Sequence, residues 1–246
     1  CHEPEMLMRA DDLPDEEVRT AHAGAKAALA TAVERLTGRQ LDPSLAWIGF
    51  ARRMTKYKRP DLLFADLQRL RAIAKAHPFQ LVLAGKAHPR DTVGQEMIER
   101  LHVLARELQG AIQVVFLPGY DMRLARLLVS GVDVWLNTPQ RPLEASGTSG
   151  MKAALNSVPS LSVLDGWWLE GCMEGITGWA IGRDGEDDRA ADSESLYAKL
   201  GDVVLPLYYG APAAWTAVMK GAIARNGSFF QSHRMMRRYV AEAYLR

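Results

Sequence analysis

The feature that most constrains this chain is an alternation. Short apolar runs lie at 45–51 (L-A-W-I-G-F-A), 79–84, 112–117, 132–136 and 160–164, and stretches of helical period lie between them at 60–76, 91–109, 121–130 and 149–157. Runs this short that are apolar on both faces suit strands of a parallel sheet covered on both sides; a half-solvated strand would alternate apolar and polar residues. Parallel strands need long crossovers, which the helical stretches supply. The pattern predicts an open α/β fold with a doubly wound, mainly parallel Rossmann-like sheet, its ligands lying beyond the carboxyl ends of the strands. No G-x-G-x-x-G follows the first run, so a dinucleotide-binding enzyme loses its main support.

Ahead of the first run, residues 14–36 carry Asp15, Glu16 and Glu17 and then an alanine-rich stretch, predicting a lead-in helix that ends near Gly38. The organisation expected is therefore a lead-in helical segment over 1–40 and a Rossmann-like domain over 41–246 with C-terminal helices. In that tail, 196–207 and 211–225 read as helices. The last helix, 229–245, sets Phe229, His233, Met236, Val240 and Ala243/Tyr244 on one stripe that must pack on something. Met235 and Met236 read as core or domain-interface packing.

Charge and cysteine usage narrow the function. Thirty Lys+Arg against twenty-nine Asp+Glu leave a formal charge of +1, so no global field draws the chain to nucleic acid or to an anionic membrane. No apolar run approaches the ~18 residues of a membrane span. Cys1 and Cys172 are too few for a disulfide framework, and the histidines at 2, 22, 77, 88, 102 and 233 show no zinc spacing. A cytoplasmic protein without a metal is expected. The start, C-H-E-P-E-M-L-M-R-A, lacks an initiating Met and a signal-peptide core and reads as a cut inside a longer chain.

Two segments carry chemistry. The first, R-R-M-T-K-Y-K-R, directly follows the first apolar run and holds Arg52, Arg53, Lys56, Lys58 and Arg59. A solvated loop or a nucleic-acid patch is the plain reading, but a place at the ligand-facing sheet edge favours an anion site. The second runs from Asn137 to Asn156 after the fourth run. Its small residues Ser146, Gly147, Thr148, Ser149 and Gly150 permit close backbone approach, and a helix beginning there aims free N–H groups at an anion. Glu144 can accept hydroxyl hydrogen bonds and Lys152 can form a Schiff base; an ordinary loop with a surface Glu and Lys is the other reading. Trp167 and Trp168 read as packing in preference to sugar or cofactor stacking, His88 as structural or exposed, and Cys172 as an inert thiol.

Taken together, Arg52 to Arg59, the Ala84-Gly85-Lys86-Ala87 turn, E-A-S-G-T-S-G-M-K from Glu144 to Lys152, and Leu164-Asp165-Gly166-Trp167-Trp168 resemble the C-terminal domain of the α-glucan (glycogen, starch or maltodextrin) phosphorylases, closest to the shorter bacterial and archaeal branch. The resemblance covers about residues 14–246. It implies the second half of a GT-B glycosyltransferase fold with pyridoxal 5′-phosphate (PLP) as cofactor. Lys152 matches the family's Schiff-base lysine, Arg52 and Thr148 its contacts to the cofactor phosphate, and Arg53 and Lys58 its contacts to the substrate phosphate. Glu144, Ser146 and Gly147 match residues that bind hydroxyls of the transferred glucose.

The reaction so implied is reversible, retaining phosphorolysis of a terminal α-1,4-glucan unit by inorganic phosphate to give glucose 1-phosphate. An N-terminal domain, absent from this chain, would complete the site. Ser149-Gly150 in place of Gly-Asn is a branch marker, while Ser157 and Pro159 depart from the branch and put the turn after the Lys152 helix in doubt. Two other classes stay open: a nucleotide-sugar-dependent GT-B glycosyltransferase of the glycogen or starch synthase kind, and a non-catalytic glucan-binding module.

Overall fold

The computed structural model describes residues 3–185 and 187–245. Among them six strands form one sheet: β1 (Ala46–Arg53), β2 (Phe79–Lys86), β3 (Gln113–Leu117), β4 (Val134–Asn137), β5 (Ser160–Val163) and β6 (Gly178–Ile181). All pair in parallel, in the order β3-β2-β1-β4-β5-β6. This is the doubly wound Rossmann arrangement, in which the first strand lies at the centre and the chain winds outward in both directions. The helices are α1 (Asp15–Thr37), α2 (Leu67–Ala76), α3 (Thr92–Glu107), α4 (Met122–Gly131), α5 (Thr148–Leu155), the short α6 (Trp168–Gly171), α7 (Arg189–Ala198), α8 (Leu205–Gly210), α9 (Pro212–Gly221) and α10 (Ser232–Tyr239).

The period of two along each strand sorts the core into two layers. Ile48, Phe50, Leu81, Leu83, Val134 and Leu161 face one side, against Leu70 of α2, Leu101 and Leu104 of α3, Leu196 of α7 and Trp215 of α9. Trp47, Ala51, Val82, Val115 and Trp135 face the other, against Leu29 and Val33 of α1, Leu124 and Leu128 of α4 and Ala153 of α5. Burial on both faces is why these strands read as continuous apolar runs. The lead-in helix is thus one of the sheet's covering layers, and it ends at Gly38 in the left-handed conformation (φ 68°).

Three details differ from the expectation. β6 was missed because it is four residues long and opens on a glycine. Gly178 has φ 145°, and a Cβ there would collide with the Ser160 carbonyl, so only glycine lets this edge strand close on β5. The predicted helix at 60–76 is a single turn at Leu62–Phe64 followed by α2, because Asp66 caps α2 by accepting the Arg69 N–H while donating its own N–H to the Tyr197 hydroxyl. In the tail, α10 and the turn Val240–Tyr244 bury no residue. Met235 and Met236 are 46% and 51% exposed, which excludes them from this chain's core.

Cys1 and His2 lie outside the described residues. No helix of the described chain is long and apolar enough to cross a membrane, and no group of three or more His, Cys, Asp or Glu among these residues could hold a metal ion.

Candidate functional site

In an open α/β sheet the ligand crevice opens where the strand order reverses, beyond the carboxyl ends of the strands. Here that point is the β1–β4 seam, and both chemistry-bearing segments emerge from it. β1 runs two residues further than the apolar run, because β2 continues beside it and pairs Gly85 with Arg52 and Lys86 with Arg53. The two arginines therefore end the strand and are not part of the loop after it. Gly85 is required at this register, since a Cβ there would collide with the Arg52 carbonyl.

The arrangement centres on one carboxylate. Oε2 of Glu144 accepts hydrogen bonds from Arg52 Nη2 at 3.1 Å and from Lys58 Nζ at 2.5 Å. All three side chains are nearly enclosed, with exposures of 9% for Arg52, 9% for Lys58 and 7% for Glu144. Two cations against one anion leave an excess positive charge, and Arg52 Nη1 is buried with no partner among the described residues. Burial pushes the Arg52 pKa below its ordinary value, opposed by the charge and hydrogen bond of Glu144. The Lys58 ammonium also lies 4.4 Å from the centre of the Tyr57 ring.

The loop bearing Glu144 is held in place from β5. Asp165 accepts the N–H of Glu144 at 2.9 Å through Oδ2 and that of Gly166 at 2.9 Å through Oδ1, while Trp167 donates its N–H to the Ser146 carbonyl at 2.8 Å. Gly166 is left-handed (φ 56°), and a Cβ would meet the carbonyls of both Ser146 and Glu144. α5 then begins after Gly147 (φ 90°) with no side chain capping it, and the buried Trp167 ring packs against Gly147 and Gly150. Both tryptophans are packing residues, as expected. Thr148 opens α5, and Lys152 lies a turn further on, exposed. Arg53 is also exposed; neither Lys152 nor Arg53 has an ion pair or a side-chain hydrogen bond with another described residue. The structure thus joins Arg52, Lys58 and Glu144 by direct contact and sets Ser146, Gly147 and Thr148 in the adjoining helix start, but gives the side chains of Lys152 and Arg53 no hydrogen bond or ion pair with them.

Sequence reasoning missed the layer beneath. Arg59, counted only as one of five loop cations, is buried with φ 43°, donating to the Thr138 carbonyl at 3.1 Å, the Pro139 carbonyl at 2.6 Å and Asp192 of α7 at 2.6 Å. Arg141 donates to the other oxygen of Asp192 at 2.5 Å. The Thr138 hydroxyl donates to the carbonyls of Lys58 and Arg59, at 3.1 and 2.9 Å. These bonds tie the loop after β1 to the loop after β4. Asp165 was visible as part of an Asp-Gly pair but not as a tether. His88 is exposed and accepts the Arg90 N–H in its own turn. Burial raises the Cys172 thiol pKa to about 12, which keeps it protonated and inert. A groove of about 1030 Å³ lies elsewhere, along the free edge of β3 beside Arg39, His102 and Arg106. Charge and hydrogen-bonding chemistry, and not volume, mark the crevice.

A family model for carbohydrate phosphorylases matches residues 6–174. A glycogen phosphorylase of Aquifex aeolicus (strain VF5) is 43% identical over 95% of this chain and 37% of its own length. A maltodextrin phosphorylase of Thermococcus litoralis is 41% identical over 94% of this chain and 30% of its own length. A glycogen phosphorylase of Mycobacterium tuberculosis (strain ATCC 25618 / H37Rv) is 42% identical over 82% and 25%. The chain spans well under half the length of these curated relatives.

Proposed function

The chain belongs to the carbohydrate phosphorylase family, and from that premise we propose that it is the C-terminal catalytic domain of a PLP-dependent α-glucan phosphorylase working in the cytoplasm. With an N-terminal domain it would catalyse reversible, retaining phosphorolysis of terminal α-1,4-glucosyl units to glucose 1-phosphate. The observation that carries this reading is the convergence of Arg52, Lys58 and Glu144 at the β1–β4 crevice beside the open start of α5.

The residues present fit PLP on two features: the buried, unpartnered Arg52 Nη1, and a helix start free of any side-chain cap behind a left-handed glycine. Arg52 and Thr148 would hold the cofactor's phosphate and Lys152 its carbonyl carbon. When bound, PLP supplies a phosphate that exchanges a proton with the substrate phosphate. Arg53 and Lys58 bind the substrate phosphate and offset the repulsion between two phosphates in one crevice. Glu144, Ser146 and Gly147 orient the glucose through its hydroxyls. In the reaction the glycosidic bond breaks at C1, C1 bonds to a phosphate oxygen, and the departing oxygen takes the phosphate's proton.

The N-terminal domain would cover the other side of the crevice. The exposed stripe of α10 and the turn after it, with Met236, Tyr239 and Val240, offers it an apolar surface. Alone, this chain should take up PLP and release no glucose 1-phosphate, because a one-sided site forfeits much of the ~7–11 kcal/mol that positioning can contribute. The test compares the whole protein and this chain on maltodextrin and phosphate, with and without PLP, and records absorption spectra. Activity in the whole protein only, with a near-ultraviolet or visible band on adding PLP that Lys152→Ala abolishes, supports the reading. Nucleotide-diphosphate binding with no such band overturns it in favour of a nucleotide-sugar transferase.

A further inference from the structure

We infer that Glu144 is a built-in competitor for the anion site: its carboxylate holds the cations that a phosphate group needs, and a phosphate that displaces it releases it for a sugar hydroxyl. The identity of the sugar rests on the function proposed above; the masking rests on geometry alone.

A single oxygen, Oε2, takes a hydrogen bond from each of Arg52 and Lys58, so the carboxylate sits between the two cations. These three groups are enclosed, with little water to screen one charge from another. An incoming phosphate finds two cations already half neutralised and one donor, Arg52 Nη1, still unused. It cannot share the crevice with a carboxylate on the same cations without strong repulsion, so the carboxylate must swing out.

On this proposal the swing belongs to the side chain and not to the loop. The Glu144 backbone is pinned through its N–H to Asp165, and the loop behind it is locked by Gly166 and Trp167, leaving the side-chain torsions as the moving part. Once displaced, the carboxylate has lost two charged donors and is left in a crevice where hydroxyls are the next best partners. Phosphate binding therefore raises affinity for the sugar, and by linkage the sugar raises affinity for phosphate by the same factor.

The sign of one substitution decides the matter. Inorganic phosphate is titrated calorimetrically into the wild-type chain and into Glu144→Gln, with folding of each checked by circular dichroism. Loss of the masking charge is expected to tighten phosphate binding by roughly five- to fiftyfold, and adding Lys58→Met to the variant should abolish the gain. Equal or weaker binding by folded Glu144→Gln overturns the proposal; Glu144→Ala, with the same expected sign, replaces it if the glutamine variant does not fold. Repeating the titration on PLP-loaded chain separates the sources of the phosphate. A gain that survives loading assigns the masked site to the substrate phosphate, and a gain that disappears assigns it to the cofactor's. The titration reads no catalysis, so a whole protein that makes no glucose 1-phosphate would refute the proposed function and leave the masking standing.

Discussion

The two ends of the β1–β4 seam each bury a carboxylate with a lysine, yet they are built to different ends. At the amino end, Asp133 accepts from Lys26 at 2.7 Å, the Trp47 N–H at 2.7 Å and His22 at 3.0 Å. The Lys26 ammonium spends its remaining donors on the Leu45 carbonyl at 2.7 Å and the Tyr208 hydroxyl at 3.3 Å, and lies 4.8 Å from the Trp47 ring centre. The charges of Lys26 and Asp133 match there one for one, though His22 Nδ1 is buried with no partner among the described residues. At the carboxyl end, one carboxylate faces two cations and a guanidinium nitrogen is left over. Burial and ion pairing are common to both ends, so neither identifies a site. The surplus of Arg and Lys side chains over carboxylates does, because an enclosed surplus of positive charge is stable only if something negative can arrive.

The largest effect that tests this contrast is on stability. Asp133→Asn strands the buried Lys26 charge and should lower the unfolding free energy by about 3–5 kcal/mol, read from urea denaturation. A loss no greater than that of an ordinary surface change would erase the distinction between the ends. Glu144→Gln likewise leaves two buried cations without their counter-charge and should cost a comparable amount in phosphate-free buffer, but added inorganic phosphate should restore much of that loss, which it should not do for Asp133→Asn. In the whole protein the same change should lower kcat/KM for the glucan about ten- to a hundredfold, the worth of a charged hydrogen bond. Next comes Arg53→Ala, expected to raise the KM for phosphate roughly tenfold and to leave stability alone; normal phosphate dependence would remove Arg53 from the site.

The smallest effect is on pH dependence. Burial pushes the Asp133 carboxyl up, but the hydrogen bond from His22 and the charge of Lys26 pull harder, so its pKa lies below the ordinary 3.8. A carboxyl depressed on folding adds stability above its unfolded value, and that stability is lost as pH falls through the folded one. Urea midpoints should therefore drop below about pH 4, and less so in Asp133→Asn. A variant with an unchanged acid slope would show that the amino-end cluster is not the acid-sensitive element.

Much of this was readable from residues in order along the chain. β1 announced itself because L-A-W-I-G-F-A is apolar on both faces, and the site segments because small residues, a Glu and a Lys follow a strand. What stayed hidden depends on residues far apart. Glu144 meets Lys58 across 86 positions and Arg52 across 92, so spacing suggested independent roles for groups that are in direct contact. Asp192 joins Arg59 across 133 positions and looks in sequence like any first-turn acid. Asp133, one residue before V-W-L-N, resembles a solvated strand flank and proves to be fully enclosed. Pairwise chemistry of this kind is set by the sheet order, which alternation alone leaves open.

The strand order also has a consequence for biosynthesis. β1, at the centre of the sheet, gains β2 and β3 on one side before β4 is made, and the Trp47–Asp133 bond that starts the other side spans 86 positions. At the usual ~5–20 residues per second, the far edge of β1 waits roughly 4–17 s for its partner. Each local βαβ unit can form in that time, whereas the long loop closure comes late. Until β4 arrives, the joint that becomes the ligand crevice is a bare apolar strand edge on a half-made sheet, open to pairing with a neighbouring chain.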